Sequence, residues 1–308
     1  MTTERAAGWS ALFPPGAIVV DGGLSTQLER QGEDISGSLW TGRALLQNPA
    51  SVEAAHRAYA QAGADVLISA SYQVSRPGFR QAGLTDADAD RALRTATAAA
   101  RAGASHAPGR VRVAASVGPY GAILHDGSEY RGNYGMAHRD LVSFHRERLE
   151  ILVESGPDLL AVETIPDVEE AVALVEALAG VPLPAWMSFS AKDGERTCAG
   201  QRIEEAVAAA ESSPCVVAVG VNCTDPRHVE ELVARMRAVT ALAIVVYPNA
   251  GGVWNASTGV WHEPLDDGFP PEAVAAWVAA GATAVGGCCG TDAASVSALA
   301  QQLGGTAP

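Results

Sequence analysis

The sequence predicts a single-domain (β/α)8 barrel, a TIM barrel of the α/β class, spanning residues 1–308 with short disordered or loosely packed ends. Three observations carry this reading. Short β-rich runs alternate with longer alanine-rich stretches of helical period along the whole chain, the pattern of repeated βα units and a parallel sheet. The alternation occurs eight times in 308 residues, a length that suits one barrel. Steps from helix to strand are short, as at Ala62-Gly63-Ala64 and Ala280-Gly281-Ala282, whereas the segments after strands are long and rich in Gly, Pro and polar residues, notably Gly118–Ala137 and Pro248–Pro270. In a barrel those longer segments gather at the C-terminal face, where sites are built. An open doubly wound sheet is the competing arrangement.

Taken in order, Ala17–Val20 reads as the first strand, and a helix over Ser51–Ala62 follows, opened by Asn48 and Pro49 and closed by Gly63. Asp65–Ser69 then precedes a helix over Asp86–Gly103, and Val111–Ser116 precedes one over Arg139–Ser155. Asp158–Glu163 leads to Val168–Ala179, with Asp167 as N-cap and Gly180 beyond the last turn. Ala185–Phe189 pairs with Ile203–Glu211, Val216–Val221 with Arg227–Met236, Ala243–Tyr247 with Pro271–Ala280, and Thr283–Val285 with Ala293–Leu303. Gly103 and Gly281 are read, like Gly63 and Gly180, as residues that end helices.

A net charge of -14 excludes nucleic acid and anionic membrane as partners, since both need basic patches. No run reaches the roughly 18 apolar residues of a membrane span, and Met1–Ser10 lacks the apolar core of a signal peptide. The expected compartment is the cytoplasm, where the sequons at Asn222 and Asn255 carry no meaning and cysteines are free or metal-bound. A monomer is expected, because no long extra segment offers a dimerisation arm.

Three of the five cysteines follow strands: Cys223 after the sixth, and the adjacent Cys288 and Cys289 after the eighth. Alternate staves of one barrel can aim residues at a common point at its mouth. Three thiolates with an open fourth position make a catalytic rather than a structural zinc site. A bare Cys-Cys pair can equally be a small buried hydrophobe or a strained vicinal disulfide. Glycines 286, 287 and 290 around the pair, and the third Cys at another strand end, weigh toward metal. Cys198 and Cys215 lie in no such motif and read as structural. The histidines, at 56, 106, 125, 138, 145, 228 and 262, form no metal cluster.

The ordered set of segments resembles the homocysteine S-methyltransferase family. Asp21-Gly22-Gly23-Leu24-Ser25-Thr26-Gln27-Leu28-Glu29 is similar to its opening motif, Ser69-Ala70-Ser71-Tyr72-Gln73 to its second, and Glu163-Thr164-Ile165-Pro166 to its fourth. Gly118-Pro119-Tyr120-Gly121, Gly127-Ser128-Glu129-Tyr130 and Arg131-Gly132-Asn133-Tyr134 resemble the third loop of the stand-alone bacterial and plant enzymes. Gly220-Val221-Asn222-Cys223-Thr224 and Gly286-Gly287-Cys288-Cys289-Gly290-Thr291 resemble its two zinc-ligand motifs, and Tyr247-Pro248-Asn249-Ala250-Gly251 with Trp254-Asn255 its seventh segment. One departure is Gly290, where the stand-alone enzymes often carry Arg.

The resemblance implies a Zn2+ cofactor held by Cys223, Cys288 and Cys289. It also implies that Asp21 and Glu163 grip the amino group of homocysteine, with Gly22, Gly23 and Asn222 as further substrate-binding residues. The activity implied is transfer of a methyl group from a sulfonium donor, S-methylmethionine or S-adenosylmethionine, to L-homocysteine, giving L-methionine. Betaine- or corrinoid-dependent methylation of homocysteine or selenocysteine is the alternative enzyme. A zinc-storing, sensing or assembly barrel is the non-enzymatic one, and it would want a fourth protein ligand.

These residue types suit the chemistry. A thiol of pKa near 8.5 is only about 3% ionised at pH 7, and only the thiolate attacks carbon well. Metal coordination removes that limit, a gain of roughly thirtyfold or about 2 kcal/mol. Asp21 can instead cap a turn, and Asn222 can serve turn chemistry alone. Glu163 ends an apolar strand, where an unpaired carboxylate is expensive and an ammonium partner would relieve it. The loop aromatics Tyr120, Tyr134, Tyr247, Trp254 and Trp261 are candidates to face the donor cation, or simply to pack.

Overall fold

The computed structural model describes residues 12–304 except 15, 36, 38, 252, 256–259 and 263–267, and the backbone alone at 253–255 and 260–262. The predicted loose ends therefore lie outside the described residues. Eight parallel strands form the sheet: β1 (Ile18–Val19), β2 (Val66–Ile68), β3 (Arg112–Val117), β4 (Leu159–Ile165), β5 (Ala185–Phe189), β6 (Val216–Asn222), β7 (Ala243–Tyr247) and β8 (Ala284–Val285). β1 pairs with β8 in the register Ile18↔Ala284, and a parallel bridge between Val20 and Val66 closes the ring onto β2. Each strand alternates its side chains between two cores. Ile18, Val20, Leu159, Ala161, Trp186, Val245 and Tyr247 fill the barrel interior, while Val19, Leu160, Val162, Ile244 and Val246 pack outward under the helices. Inside, the large Trp186 is accommodated by Ala114, Ala161 and Ala218.

The predicted helices are present, with ends shifted by at most two residues except in the sixth. Asp167 caps its helix as expected, accepting from Glu170 N at 2.7 Å. The helix predicted over Arg227–Met236 begins instead with a 3-10 turn, Pro226–His228, and its α part runs over Val229–Val239. Asn48 stands before Pro49 at the first helix start but makes no side-chain cap; its amide donates to Glu33. Gly103 does not end a helix but lies inside the one over Asp86–Ala104. A Cβ there would sit 2.6 Å from His56 Cβ and 2.8 Å from Arg57 N, so this glycine is a contact between two helices.

Three short helices were not predicted: Leu24–Arg30, Thr41–Gln47 and Arg76–Gln81. All lie in post-strand segments at the C-terminal face, together with 3-10 turns at Tyr120–Ile123 and Ser128–Tyr130 and a hairpin pairing Val253–Asn255 with Val260–His262. Among the described residues, no helix is long and apolar enough to cross a membrane.

Candidate active site

The end of β8 runs directly into Gly286-Gly287-Cys288-Cys289, and backbone bonds strap this segment to its neighbours. Gly287 N donates to Asp21 O at 3.0 Å, Cys288 N to Pro248 O at 2.8 Å, and Ala250 N to Cys289 O at 2.8 Å. The loop after β1 passes close beneath: a Cβ on Gly23 would run into the Cys288 carbonyl oxygen, and one on Gly22 would meet Tyr59 at 2.8 Å. Gly22 and Gly23 are thus what lets the first and last loops touch. Gly290 has φ +81° and faces Ala250 Cβ, a backbone setting that favours glycine and disfavours the Arg of the resembled enzymes.

Cys223 follows β6 in the left-handed region, φ +49°, as does Thr164 across the sheet, φ +60°. Each such residue costs on the order of 1–3 kcal/mol unless its surroundings enforce it. Asn222 supplies the enforcement. Its Oδ1 accepts from Thr164 N and Ser188 Oγ, both at 2.7 Å, and its Nδ2 donates to Thr164 Oγ1 at 2.7 Å. The buried amide therefore locks the two strand ends that carry Glu163 and Cys223.

The result is a cluster in which the sulfurs of Cys223, Cys288 and Cys289 all lie within 4.8 Å of one another, with Cys223 and Cys289 at 3.7 Å. Hydrogen bonds from Cys223 and Cys288 hold the Cys289 thiol well below its ordinary value, while Cys288 is pushed up. Ionisable groups crowded this closely shift one another's titration in opposite directions. Among the described residues this is the only group of three or more His, Cys, Asp or Glu placed to hold an ion, and no histidine belongs to it. Cys198 and Cys215 stand outside it; Cys215 is buried, its sulfur 3.7 Å from Leu178 O.

The two acids lie beside the cluster. Asp21, 1% exposed, accepts from Ile68 N at 2.8 Å through one oxygen, while the other has no partner. It caps no helix. Glu163 accepts from Ser116 Oγ and from Tyr247 OH, the latter at 3.1 Å. Burial raises both carboxyls, Asp21 further through the charge of Glu163, and Glu163 to about 7 against the pull of its two hydroxyl donors. No basic side chain among the described residues pairs with either acid. Burying an acid pair that no side-chain cation offsets is costly.

The third loop completes the wall. Tyr130 OH lies 2.9 Å from Cys223 Sγ, and burial pushes its neighbour Glu129 up to about 7. Buried groups below hold this loop. Arg148 donates to the carbonyls of Gly118 at 2.9 Å and Tyr72 at 2.7 Å. Glu170 accepts from Tyr120 N at 2.6 Å and Tyr134 OH at 2.8 Å and meets His145 Nε2 at 2.9 Å. Of the aromatics expected near a donor, Tyr120 packs against Tyr134 and Phe144, and Tyr247 bonds to Glu163, Ser188 and Trp186. The side chains of Trp254 and Trp261 lie outside the described residues. Ser116, Thr164, Tyr247 and Tyr130 take parts that sequence reasoning did not assign, although the motif-like runs through Thr164, Tyr247 and Tyr130 offered a signal.

Comparison with known proteins bears on all of this. A family model described as homocysteine S-methyltransferase matches residues 18–303. Homocysteine S-methyltransferase 4 of Zea mays is 44% identical over 94% of this chain and 90% of its own. Selenocysteine Se-methyltransferase of Brassica oleracea var. italica is 40% identical over 94% and 89% respectively. The crystal structure of the homocysteine methyltransferase MmuM from Escherichia coli in its metallated form aligns with a TM-score of 0.85 and 36% identity, covering 95% of this chain and 98% of that one.

Proposed function

Because this chain belongs to the homocysteine S-methyltransferase family and is an enzyme of that kind, we propose that it uses zinc held by Cys223, Cys288 and Cys289 to move a methyl group from a sulfonium, S-methylmethionine or S-adenosylmethionine, to L-homocysteine. The product is L-methionine. The observation that carries this reading is the three-sulfur cluster beside two buried, cation-poor carboxylates.

The donor set fits the ion. Zinc–sulfur bonds of about 2.3 Å at tetrahedral angles put sulfurs about 3.8 Å apart, and Cys223 and Cys289 stand at 3.7 Å. Bound there, zinc would supply the Lewis acidity that strips the proton from a substrate thiol and leaves it nucleophilic. Asp21 and Glu163 bind the ammonium of homocysteine, with Ser116 and Tyr247 fixing the Glu163 carboxylate. Asn222 acts by holding Thr164 and the turn at Cys223, and Gly22 and Gly23 by letting the first loop reach the Cys pair. Attack is in line at the methyl carbon: the new carbon–sulfur bond forms as the donor's breaks, and the electron pair leaves on a neutral thioether. That leaving group takes no proton, so these carboxyls serve binding rather than acid catalysis.

Incubating the zinc-loaded protein and homocysteine with S-methylmethionine, S-adenosylmethionine, betaine or a methylated corrinoid tests the donor. Methionine should form with the sulfonium compounds; formation only with betaine or the corrinoid would overturn this part of the reading. Zinc-edge absorption with and without homocysteine reads the metal directly, and a shell that gains no sulfur would refute direct coordination of the substrate.

A further inference from the structure

We propose that Glu129 is the residue that reads the positive charge of the methyl donor, its carboxylate facing the sulfonium sulfur across the cysteine cluster. This deepens the sulfonium reading above and rests on it.

Position is the first argument. Glu129 lies in the 3-10 turn Ser128–Tyr130, one residue before the tyrosine whose hydroxyl is 2.9 Å from Cys223 Sγ. Its charge bears on Cys223, Cys289 and Tyr72, which puts it within electrostatic reach of the cluster. The turn itself is tightly held: a Cβ on Gly121 would come 2.5 Å from Glu129 N.

Lack of a partner is the second. Glu129 is 8% exposed, yet no basic side chain among the described residues pairs with it, and its own backbone N–H is what eases its burial. The adjacent Arg131 turns instead to Ser128 Oγ at 2.9 Å and Asp126 at 3.5 Å. Glu129 caps no helix either; the residue before this turn, Gly127, makes no side-chain cap. A nearly buried carboxylate with no ion-pair partner, close to three sulfurs that become anionic when they bind metal, is costly to the fold. A cation from solution offsets that cost.

The reaction brings three cationic groups to this mouth, the acceptor ammonium and the donor's ammonium and sulfonium, and the isostere below separates the last two. Asp21 and Glu163 serve the acceptor ammonium, which leaves Glu129 for the donor. Thiolate and sulfonium annihilate each other's charge on the way to the transition state. A carboxylate beside the sulfonium therefore stabilises the bound donor more than the transition state, and it acts on donor affinity rather than on turnover.

The test is steady-state kinetics of zinc-loaded Glu129→Gln with homocysteine and S-methylmethionine. Donor KM should rise about tenfold or more while kcat stays within about threefold, and homocysteine KM, zinc content and melting temperature should hold. Glu129→Asp should recover part of the loss. The carbon isostere 2-amino-5-methylhexanoate, which carries CH where the donor carries the sulfonium sulfur, should inhibit the native enzyme and Glu129→Gln equally. Equal weakening of donor and isostere would show that Glu129 reads the amino-acid head they share and would overturn the assignment. So would an unchanged donor KM. Should the native enzyme accept betaine but no sulfonium, the reading of the donor and this inference fall together; a native enzyme that uses S-methylmethionine beside a variant of unaltered donor KM sinks this inference alone.

Discussion

The phenol of Tyr130 lies 2.9 Å from the sulfur of Cys223, tying the third loop of the barrel to a residue 93 positions further along the chain. A phenol that donates to a metal-bound thiolate supports the ligand from behind, and loss of such support typically costs 10–100-fold in metal affinity. Tyr130→Phe is expected to weaken zinc binding by about tenfold, measured by competition with a chromophoric chelator. Unchanged affinity would remove Tyr130 from the support of the cluster.

Removing a sulfur should be harsher. Cys289→Ala is expected to lose both zinc, by elemental analysis, and methionine formation, whereas Cys215→Ala, buried away from the cluster, should keep both. Turnover retained in Cys289→Ala would refute the assignment of the ligands.

Glu163 implies a proton count. Its carboxyl titrates near about 7 rather than at its ordinary 4.5, so it is largely neutral at pH 6 and ionised at pH 8. An ammonium selects the ionised form, and binding at pH 6 must therefore expel a proton and weaken as pH falls. Calorimetry with L-methionine, which has no thiol proton to lose, in two buffers of different ionisation heat should show release of about one proton at pH 6 and little at pH 8. In Glu163→Gln the release should fall to what Asp21, also raised by burial, gives up. A count that ignores both pH and variant would show that Glu163 does not meet the ammonium.

Gly103 separates stability from activity. A methyl group there meets His56 Cβ at 2.6 Å between two packed helices, far from the cluster in sequence and on the outer layer. Gly103→Ala should cost about 1–3 kcal/mol by overpacking, read as a lower urea midpoint, with kcat of the folded enzyme unchanged. A midpoint equal to that of the native protein would show that the helices can yield.

Much of this was legible in the chain before any coordinates. Eight strand and helix signals and the three cysteines at strand ends depend on period and spacing, which are local properties. The helices at Leu24–Arg30, Thr41–Gln47 and Arg76–Gln81 were not legible, because six or seven residues hold too few turns to show a period. Gly103 looked like a helix end since the chain alone does not reveal what packs opposite. Asp21 read as plausibly as a cap as a ligand; in the fold it accepts from the backbone of β2 and leaves one oxygen bare. Tyr130 and Glu129 gain their places only when the third loop folds back over the mouth, held by Arg148 and Glu170 from helices that the loop itself does not contain.

The pairing of β1 with β8 sets an order of events in the cell. Cys288 and Cys289 are translated long after Asp21, whose backbone their placement needs. A nascent chain on the ribosome thus displays Cys223 alone and cannot assemble the trio until the ring has shut. The ion then acts as a late seal on a finished ring, and chains stalled or truncated before the final strand are left without a means to hold it.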